Sequence, residues 1–208
     1  MKISFVIVGI NQWQKYTLPL IKSVLKNVEE ADIVLVDNGS TQEYPTKRGV
    51  TRARLEETVC YSAALNAGIK ACEPSDWYII TNNDVLVEKP LSMGTLDTHA
   101  LYGFTKYKPG TAMIPFAYLS GWCYLISQHV LGTVGLFDEK FSPMWFEDAD
   151  YCYRSVKAGI PLVELDRSEW GINHLESITM DERKAYMASH MVDRNRNRAY
   201  LKAKHGLK

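Results

Sequence analysis

Nothing in the 208-residue chain approaches the roughly 20 consecutive apolar residues that a membrane-spanning helix needs. The opening run, MKISFVIVGINQW, has too short an apolar stretch for a signal peptide and reaches Asn11 without a small-residue cleavage site. A cytoplasmic protein is therefore expected. Net charge is also missing, since 24 Lys and Arg balance 24 Asp and Glu, and this argues against nucleic acid as a partner. The four cysteines (Cys60, Cys72, Cys123 and Cys152) form no CxxC pair, so free thiols in a reducing compartment are expected. No GxGxxG follows the first apolar run, which excludes the usual dinucleotide fingerprint. No GxxxxGK[ST] and no GxSxG occur either, which removes the P-loop and the nucleophile elbow.

What is present is an alternation of buried strands and helices. Lys2 to Gly9 reads as a strand, and Tyr16 to Lys26 as a helix with Leu18, Ile21 and Leu25 on one face. Ala31 to Val36 is a second strand, residues 41–58 read as loop or weak structure, and Tyr61 to Cys72 has helical spacing. Trp77 to Thr81 is a third strand, with the aromatic and β-branched content of one covered on both faces. That order predicts an α/β fold with a parallel, Rossmann-like sheet flanked by helices. Residues 99–126 offer only short strands, at 100–107, 114–118 and 122–126. Asp148 to Lys157 reads as a helix capped at Gly159, Leu162 to Leu165 as a last strand, and Asp181 to Lys204 as a polar terminal helix. We expect one domain over 1–208, with a nucleotide-type half (1–98), a smaller irregular half (99–180) and a C-terminal helix (181–208).

Three strand ends carry polar clusters: Gly9-Ile10-Asn11, Asp37-Asn38-Gly39-Ser40 and Asn82-Asn83-Asp84. Each alone is ordinary turn composition. In a parallel sheet all three share the carboxyl edge, where ligands of open α/β sheets bind. A carboxylate between amides suits a hard divalent cation or a ribose hydroxyl. A second run, FSPMWFEDADYCYR, places Glu147, Asp148 and Asp150 in the first turn of a helix behind Trp145 and Phe146. Helix-dipole complementarity and an i,i+4 pair with Arg154 account for one or two of these acids. Glu147 and Asp148 beside aromatic rings point to raised carboxylate pKa values suited to a general base. His174 stands after the last strand, where a structural histidine and a metal ligand are both open. The C-terminal stretch is basic (Arg194, Arg196, Arg198, Lys202 and Lys204). It reads first as a solvated helix face packing through Tyr200 and Leu201, and second as a contact with an anionic surface, either phospholipid headgroups or nucleic acid.

In order, the runs VIVGINQW, IVLVDNGST, YSAALNAGI, YIITNNDV, SGWCYLIS, VGLFDEKFSPMWFEDADYCYR, His174 and RNRAYLKAKHG resemble the family 2 glycosyltransferases of GT-A fold, especially the rhamnosyltransferase-like branch. The resemblance implies an inverting transferase that moves a sugar from a UDP- or dTDP-sugar donor to a hydroxyl on a glycan or lipid-linked glycan. It places Val8, Gly9 and Asn11 at the nucleotide, Asp37 at the base, and Asn66 and Lys70 toward the donor. Asn82 and Asn83 fall at ribose or sugar phosphate, and Asp84, with His174, at Mn²⁺ or Mg²⁺ on the diphosphate. Asp148 becomes the general base and Glu147 its positioning neighbour, with Gly121, Trp122 and Trp145 walling the acceptor. The family's Asp-x-Asp stands here as Asn82-Asn83-Asp84, one anionic ligand short. A sugar-phosphate nucleotidyltransferase would need a Gly-rich basic loop that GINQWQK does not supply. A non-catalytic nucleotide-sugar or glycan-binding module, and the same chemistry on modified nucleic-acid bases, stand as alternatives.

Overall fold

A computed structural model describes residues 1–176 and 190–207. Its centre is a seven-stranded sheet in the order β10-β6-β9-β4-β1-β2-β3. These strands are β1 (Ile3–Gly9), β2 (Asp32–Asn38), β3 (Val50–Leu55), β4 (Trp77–Asn82), β6 (Leu101–Gly103), β9 (Cys123–Ser127) and β10 (Leu162–Glu164). β1, β2, β3 and β4 run parallel, β9 runs antiparallel between β4 and β6, and β10 is parallel to β6. Two small sheets pair β5 (Val85–Val87) with β11 (Ile172–His174), and β7 (Lys106–Tyr107) with β8 (Tyr118–Leu119). The helices are α1 (Leu18–Asn27), α2 (Tyr61–Ala71), α3 (Gln128–Val134), α4 (Glu147–Lys157), α5 (Arg167–Trp170) and α6 (Met191–His205).

The two-residue period of the strands divides the core. Val6, Val8 and Val36 meet Ala64, Leu65 and Ile69 of α2 on one face, in a cluster that also takes in Tyr151 and Cys152 of α4. Phe5, Ile7, Ile33 and Leu35 meet Leu20, Ile21 and Val24 of α1 on the other. Gly68 lets α2 lie close to the sheet, because a Cβ there would sit 2.4 Å from Val6 Cγ1 and 2.8 Å from Val36 Cγ2. All four cysteines are free, and Cys123 and Cys152 are buried. No helix among the described residues is long and apolar enough to cross a membrane.

Three expectations change, and a fourth lies partly outside the described residues. Residues 50–55 form the edge strand β3 rather than loop, with Arg52 and Arg54 paired to Glu43 and Asp37. The buried face of α1 is Leu20, Ile21 and Val24, while Leu25 is exposed. Apolar residues at 18, 20, 21, 24 and 25 offer two overlapping stripes, and the sheet selects one. The last described strand is β11, not β10. The terminal helix is seen from Met191, and positions 181–189 of the expected helix, like Lys208, lie outside the described residues.

α6 is fastened at its middle and at its C-terminal end. Asn197, almost fully buried, donates to the Ser142 carbonyl (3.1 Å) and the Met144 carbonyl (2.8 Å). Lys204 and His205 reach the buried Asp150 carboxylate at 2.6 and 2.8 Å, and Arg154 takes its other oxygen at 2.8 Å. Asp150 is thus a structural anion, and Lys204 is committed inward rather than to an outside surface. Tyr200 donates to Asp138, and Leu201 is buried.

Candidate active site

In-register pairing sets Gly9 opposite Asp37 and Val8 opposite Asn82, so the three polar strand ends do share one edge. Asp37 has no exposed surface. Its Oδ1 accepts from the Ser40 N–H (3.1 Å), its Oδ2 from the Tyr44 N–H (2.9 Å), and Arg54 lies 3.0 Å away. Burial works to raise its pKa, but the hydrogen bonds from Ser40 and Tyr44 and the Arg54 charge prevail and hold it below the usual value. Asn11 closes the same edge: its N–H donates to Ser40 Oγ (2.8 Å), and its Oδ1 accepts from the Thr41 N–H (3.0 Å). The buried Tyr44 hydroxyl donates to the Asn11 carbonyl and ties the loops after β1 and β2 together. Gly9 must lack a side chain, since a Cβ would fall 2.8 Å from the Tyr44 hydroxyl and 3.0 Å from Asn83 Nδ2.

At the end of β4, Asn83 donates to Thr17 Oγ1 (3.0 Å) and Asn82 Oδ1 accepts from the Tyr61 hydroxyl (2.5 Å). Asp84 begins the turn into β5, and the β5–β11 ladder places His174 opposite Val85. His174 Nε2 therefore lies 3.4 Å from Asp84 Oδ1. The imidazole stacks on Trp122, with ring centroids 4.5 Å apart and planes 6° from parallel.

The acids expected on α4 complete the constellation. Trp145 and Phe146 both take positive φ (78° and 69°), turning the chain sharply into the helix. Asp148 Oδ1 accepts from the Ala149 N–H (2.7 Å) and Oδ2 from the Gly121 N–H (3.2 Å). Gly121 permits that approach, as a Cβ there would lie 3.0 Å from Asp148 Cβ. Burial raises the Asp148 carboxyl above its ordinary range, although the Ala149 and Gly121 N–H groups pull it back. Burial, with the adjacent Asp148 charge, raises Glu147 as well. These are the directions expected of carboxylates behind aromatic rings.

Three expected positions sit elsewhere or otherwise. Lys70 is exposed near the end of α2, about 13 Å along the axis from Tyr61 at 1.5 Å per residue, so it lies toward the opposite edge of the sheet. Asn66 is buried and committed to the loop after α3: its Nδ2 donates to the Phe137 carbonyl (2.9 Å) and Glu139 (2.8 Å), and its Oδ1 accepts from the Phe137 N–H (2.9 Å). Trp122 does not wall an open acceptor cleft. Its ring is 7% exposed, stacked on His174, with the Arg167 guanidinium 4.8 Å from its centroid. Trp145 remains half-buried beside His190, at 5.5 Å between ring centroids.

Sequence reading missed Tyr61. Burial holds its phenol protonated far above the ordinary range, and the charges of Glu147, Asp84 and Asp148 all add to this. Tyr61 is thus a common neighbour of the three carboxylates. Only its place at the start of α2, next to the strand-end edge, marked it in the sequence. Tyr44 was missed for a similar reason, since its partners are up to 33 positions away.

Among the described residues, no group of three or more His, Cys, Asp and Glu side chains is gathered as a metal centre. The Asp84–His174 pair still fits part of one. Two adjacent ligands of a six-coordinate Mg²⁺-sized ion, each at 2.0–2.1 Å, stand about 3 Å apart, close to the spacing of this pair.

No family model and no curated protein sequence matches the chain. Solved structures do match in shape. One is a mannosyltransferase, PcManGT from Pyrobaculum calidifontis, in complex with GDP-Man and Mn²⁺, at 14% identity and TM-score 0.61 over 79% of this chain and 55% of that one. Another is GalNAc-T7 with UDP, GalNAc and Mn²⁺, at 14% identity and TM-score 0.68 over 97% and 50%. A third is TarS of S. aureus, at 16% identity and TM-score 0.60 over 79% and 35%. The chain thus spans about half, or less, of each of these proteins. At such identities the likeness is one of architecture, and the architecture is the GT-A fold: a mostly parallel sheet flanked by helices, with a smaller region of short strands beside it.

Proposed function

We propose that the chain is an inverting glycosyltransferase that moves a sugar from a UDP- or dTDP-sugar to a hydroxyl of a glycan or lipid-linked glycan. The observation that carries this reading is the meeting of the Asp84–His174 pair and the Asp148 carboxylate at one sheet edge, with Tyr61 near all three acids. Asp84 and His174 would hold Mn²⁺ or Mg²⁺, and the imidazole nitrogen favours Mn²⁺. The bound ion would supply Lewis-acid neutralisation of a diphosphate leaving group.

Asp148 acts on the acceptor. Its carboxylate takes the proton as the acceptor oxygen bonds to the anomeric carbon and the bond from that carbon to the diphosphate oxygen breaks. A single base suffices, because the leaving diphosphate needs no proton from an acid. The Gly121 N–H aims the carboxylate, and burial keeps it basic enough for the transfer. Gly9, Asn11 and the Asp37-braced loop form the nucleotide edge, with Val8 beneath. Asp37 serves there by fixing the loop from below.

Asp148→Asn should abolish transfer and donor hydrolysis while UDP binding in Mn²⁺ stays within about twofold of wild type, since the change removes the base and little shape. Full activity in that variant would remove Asp148 as the base. Tight donor binding by the wild type without turnover in any acceptor screen would favour the binding-module reading.

A further inference from the structure

α4, which presents Asp148 from its first turn, walls two adjoining hollows further along its length. The first, of about 310 Å³, is mostly apolar, with Phe116, Tyr153, Val156 and Leu162 in its walls beside Lys106 and Lys157. Its size falls within the range of small-molecule sites, about 300–1,000 Å³. The second, of about 560 Å³, is bounded by Arg154, Lys157, Lys204 and His205. Tyr153 and Lys157 border both, so the apolar hollow opens onto the basic one. Among the described residues no acid lines either of them.

Folding accounts for part of this surface. Arg154, Lys204 and His205 all hold the buried Asp150 carboxylate, so they shape the second hollow and are already neutralised. Lys106 and Lys157 are different, since among the described residues neither forms an ion pair. Lys106 Nζ donates to the Leu162 carbonyl at 2.9 Å, and Lys157 Nζ lies 5.7 Å from the Tyr153 ring centroid. Lys157 complements the C-terminal dipole of α4, but Lys106 stands on β7 and has no such role. Glu164 accepts from the Lys106 N–H at 2.8 Å and is not a wall of the hollow. On the apolar side Val156 is 55% exposed, a large aliphatic group left uncovered. The Phe116 and Tyr153 rings stand 4.9 Å apart, and Tyr153 and His205 4.2 Å, so a row of rings joins the apolar part to the basic part.

We propose that these hollows bind the lipid phosphate that carries the acceptor, with its hydrocarbon chain against Phe116, Val156 and Leu162 and its phosphate at Lys157, within reach of Lys106. This deepens the transfer reading and rests on it for the purpose of the binding, though not for the binding itself. The charge fits: two ammonium groups without carboxylate partners, from two separate elements, match a phosphate with its one to two negative charges and three acceptor oxygens. The shape fits one inserted chain, because the apolar groups line a recess, whereas a helix that lies on a bilayer presents a continuous apolar face to it. The position fits as well. Tyr153 and Val156 follow Asp148 by five and eight positions, about 7.5 and 12 Å along the helix axis at 1.5 Å per residue. A glycan attached to the phosphate can therefore run back along α4 toward the carboxylate that would activate it.

Calorimetry on the whole chain with decyl phosphate, kept below its micelle concentration, tests the site without donor or metal. The wild type should bind it, and should bind decanol and inorganic phosphate each at least about 10-fold more weakly, since each lacks one half of the match. Lys157→Ala and Val156→Asp should each weaken decyl phosphate by about 10-fold or more, with UDP affinity in Mn²⁺ unchanged. Both side chains are exposed, and circular dichroism melts would confirm that the variants fold. Equal binding of decanol and decyl phosphate, or unchanged binding in the two variants, would overturn the proposal. Binding to vesicles of anionic phospholipid with none to monomeric decyl phosphate would also overturn it, and would make this face a bilayer contact. Nucleotide-sugar binding, measured separately, keeps the two readings apart. Decyl phosphate binding without any donor binding leaves the lipid site standing and removes the transfer reading, and the reverse result removes only the lipid site.

Discussion

Replacing Gly121 by Ala should separate aiming of Asp148, the proposed base, from folding. The added Cβ would stand 3.0 Å from Asp148 Cβ, short of an ordinary carbon–carbon contact of about 3.5–4.0 Å by roughly 0.5–1 Å. Neither neighbour retreats easily. Asp148 is followed by the buried Ala149 and Asp150, and the carbonyl of buried Trp122 accepts from the Asn82 N–H at 2.9 Å. The strain is relieved by swinging the Asp148 side chain, which breaks its 3.2 Å bond to the Gly121 N–H. Overpacking of this kind costs about 1–3 kcal/mol, and at roughly 2–4 °C per kcal/mol for a domain of this size Tm falls by about 2–12 °C. Displacing the base by a fraction of an ångström should lower kcat about 10- to 100-fold with KM for the donor unchanged. The lost N–H favoured the charged carboxylate, so the acid limb of the pH–rate profile should move up by about one unit, half the effect of a full charged hydrogen bond. Steady-state kinetics from pH 5 to 9 would show both effects. A normal kcat with an unmoved acid limb would refute the reasoning and reduce Gly121 to packing.

Other substitutions have equally definite outcomes. Gly68→Ala should gain about 1 kcal/mol of helix propensity yet destabilise by a net 1–3 kcal/mol or so in urea melts, because its Cβ would meet Val6 and Val36. Asp84→Ala and His174→Ala should each erase about 10- to 100-fold of the Mn²⁺-dependent tightening of UDP in calorimetry, leaving metal-free affinity unchanged; equal loss without metal would remove the pair as ligands. For Asp138, burial acts to raise the carboxyl, but hydrogen bonds from Lys204, the Lys140 N–H and Tyr200 bring it down to about 2. A depressed carboxyl stabilises the fold above its unfolded value and loses that contribution as pH falls toward 2. Lys204→Met should therefore flatten the decline in Tm between pH 4 and 2.

Much of the sheet was legible, because β1, β2 and β4 are covered on both faces and read as mostly apolar runs. β3 was not, since it is an edge strand whose Arg52 and Arg54 look like loop residues until Glu43 and Asp37 are beside them. The strand-end clusters were legible because parallel pairing alone puts them on one edge. The fates of Asn66, Lys70 and Trp122 were not, for they depend on what covers each side chain, and periodicity does not encode that. Trp122 in particular was read as an open aromatic wall, and the histidine that covers it lies 52 positions further along the chain. Tyr61 shows the converse: a helix-start tyrosine acquires meaning only when acids from two distant segments arrive around it.

The fastening of α6 has a consequence for the order of synthesis. Asn197 holds the carbonyls of Ser142 and Met144 from 55 and 53 positions away, and Lys204 and His205 reach Asp150 from a similar distance along the chain. A nascent chain emerging from the ribosome can assemble β1 to β4 early, from nearby segments. The turn that delivers Glu147 and Asp148 is secured only when residues 197–205 leave the exit tunnel, and until then Asp150 lacks Lys204 and His205 and keeps only Arg154. The edge formed by the ends of β1, β2 and β4 can thus take shape on the ribosome well before the turn carrying Glu147 and Asp148 is set, so under the proposed function a stalled or truncated product would bind nucleotide while remaining unable to transfer sugar.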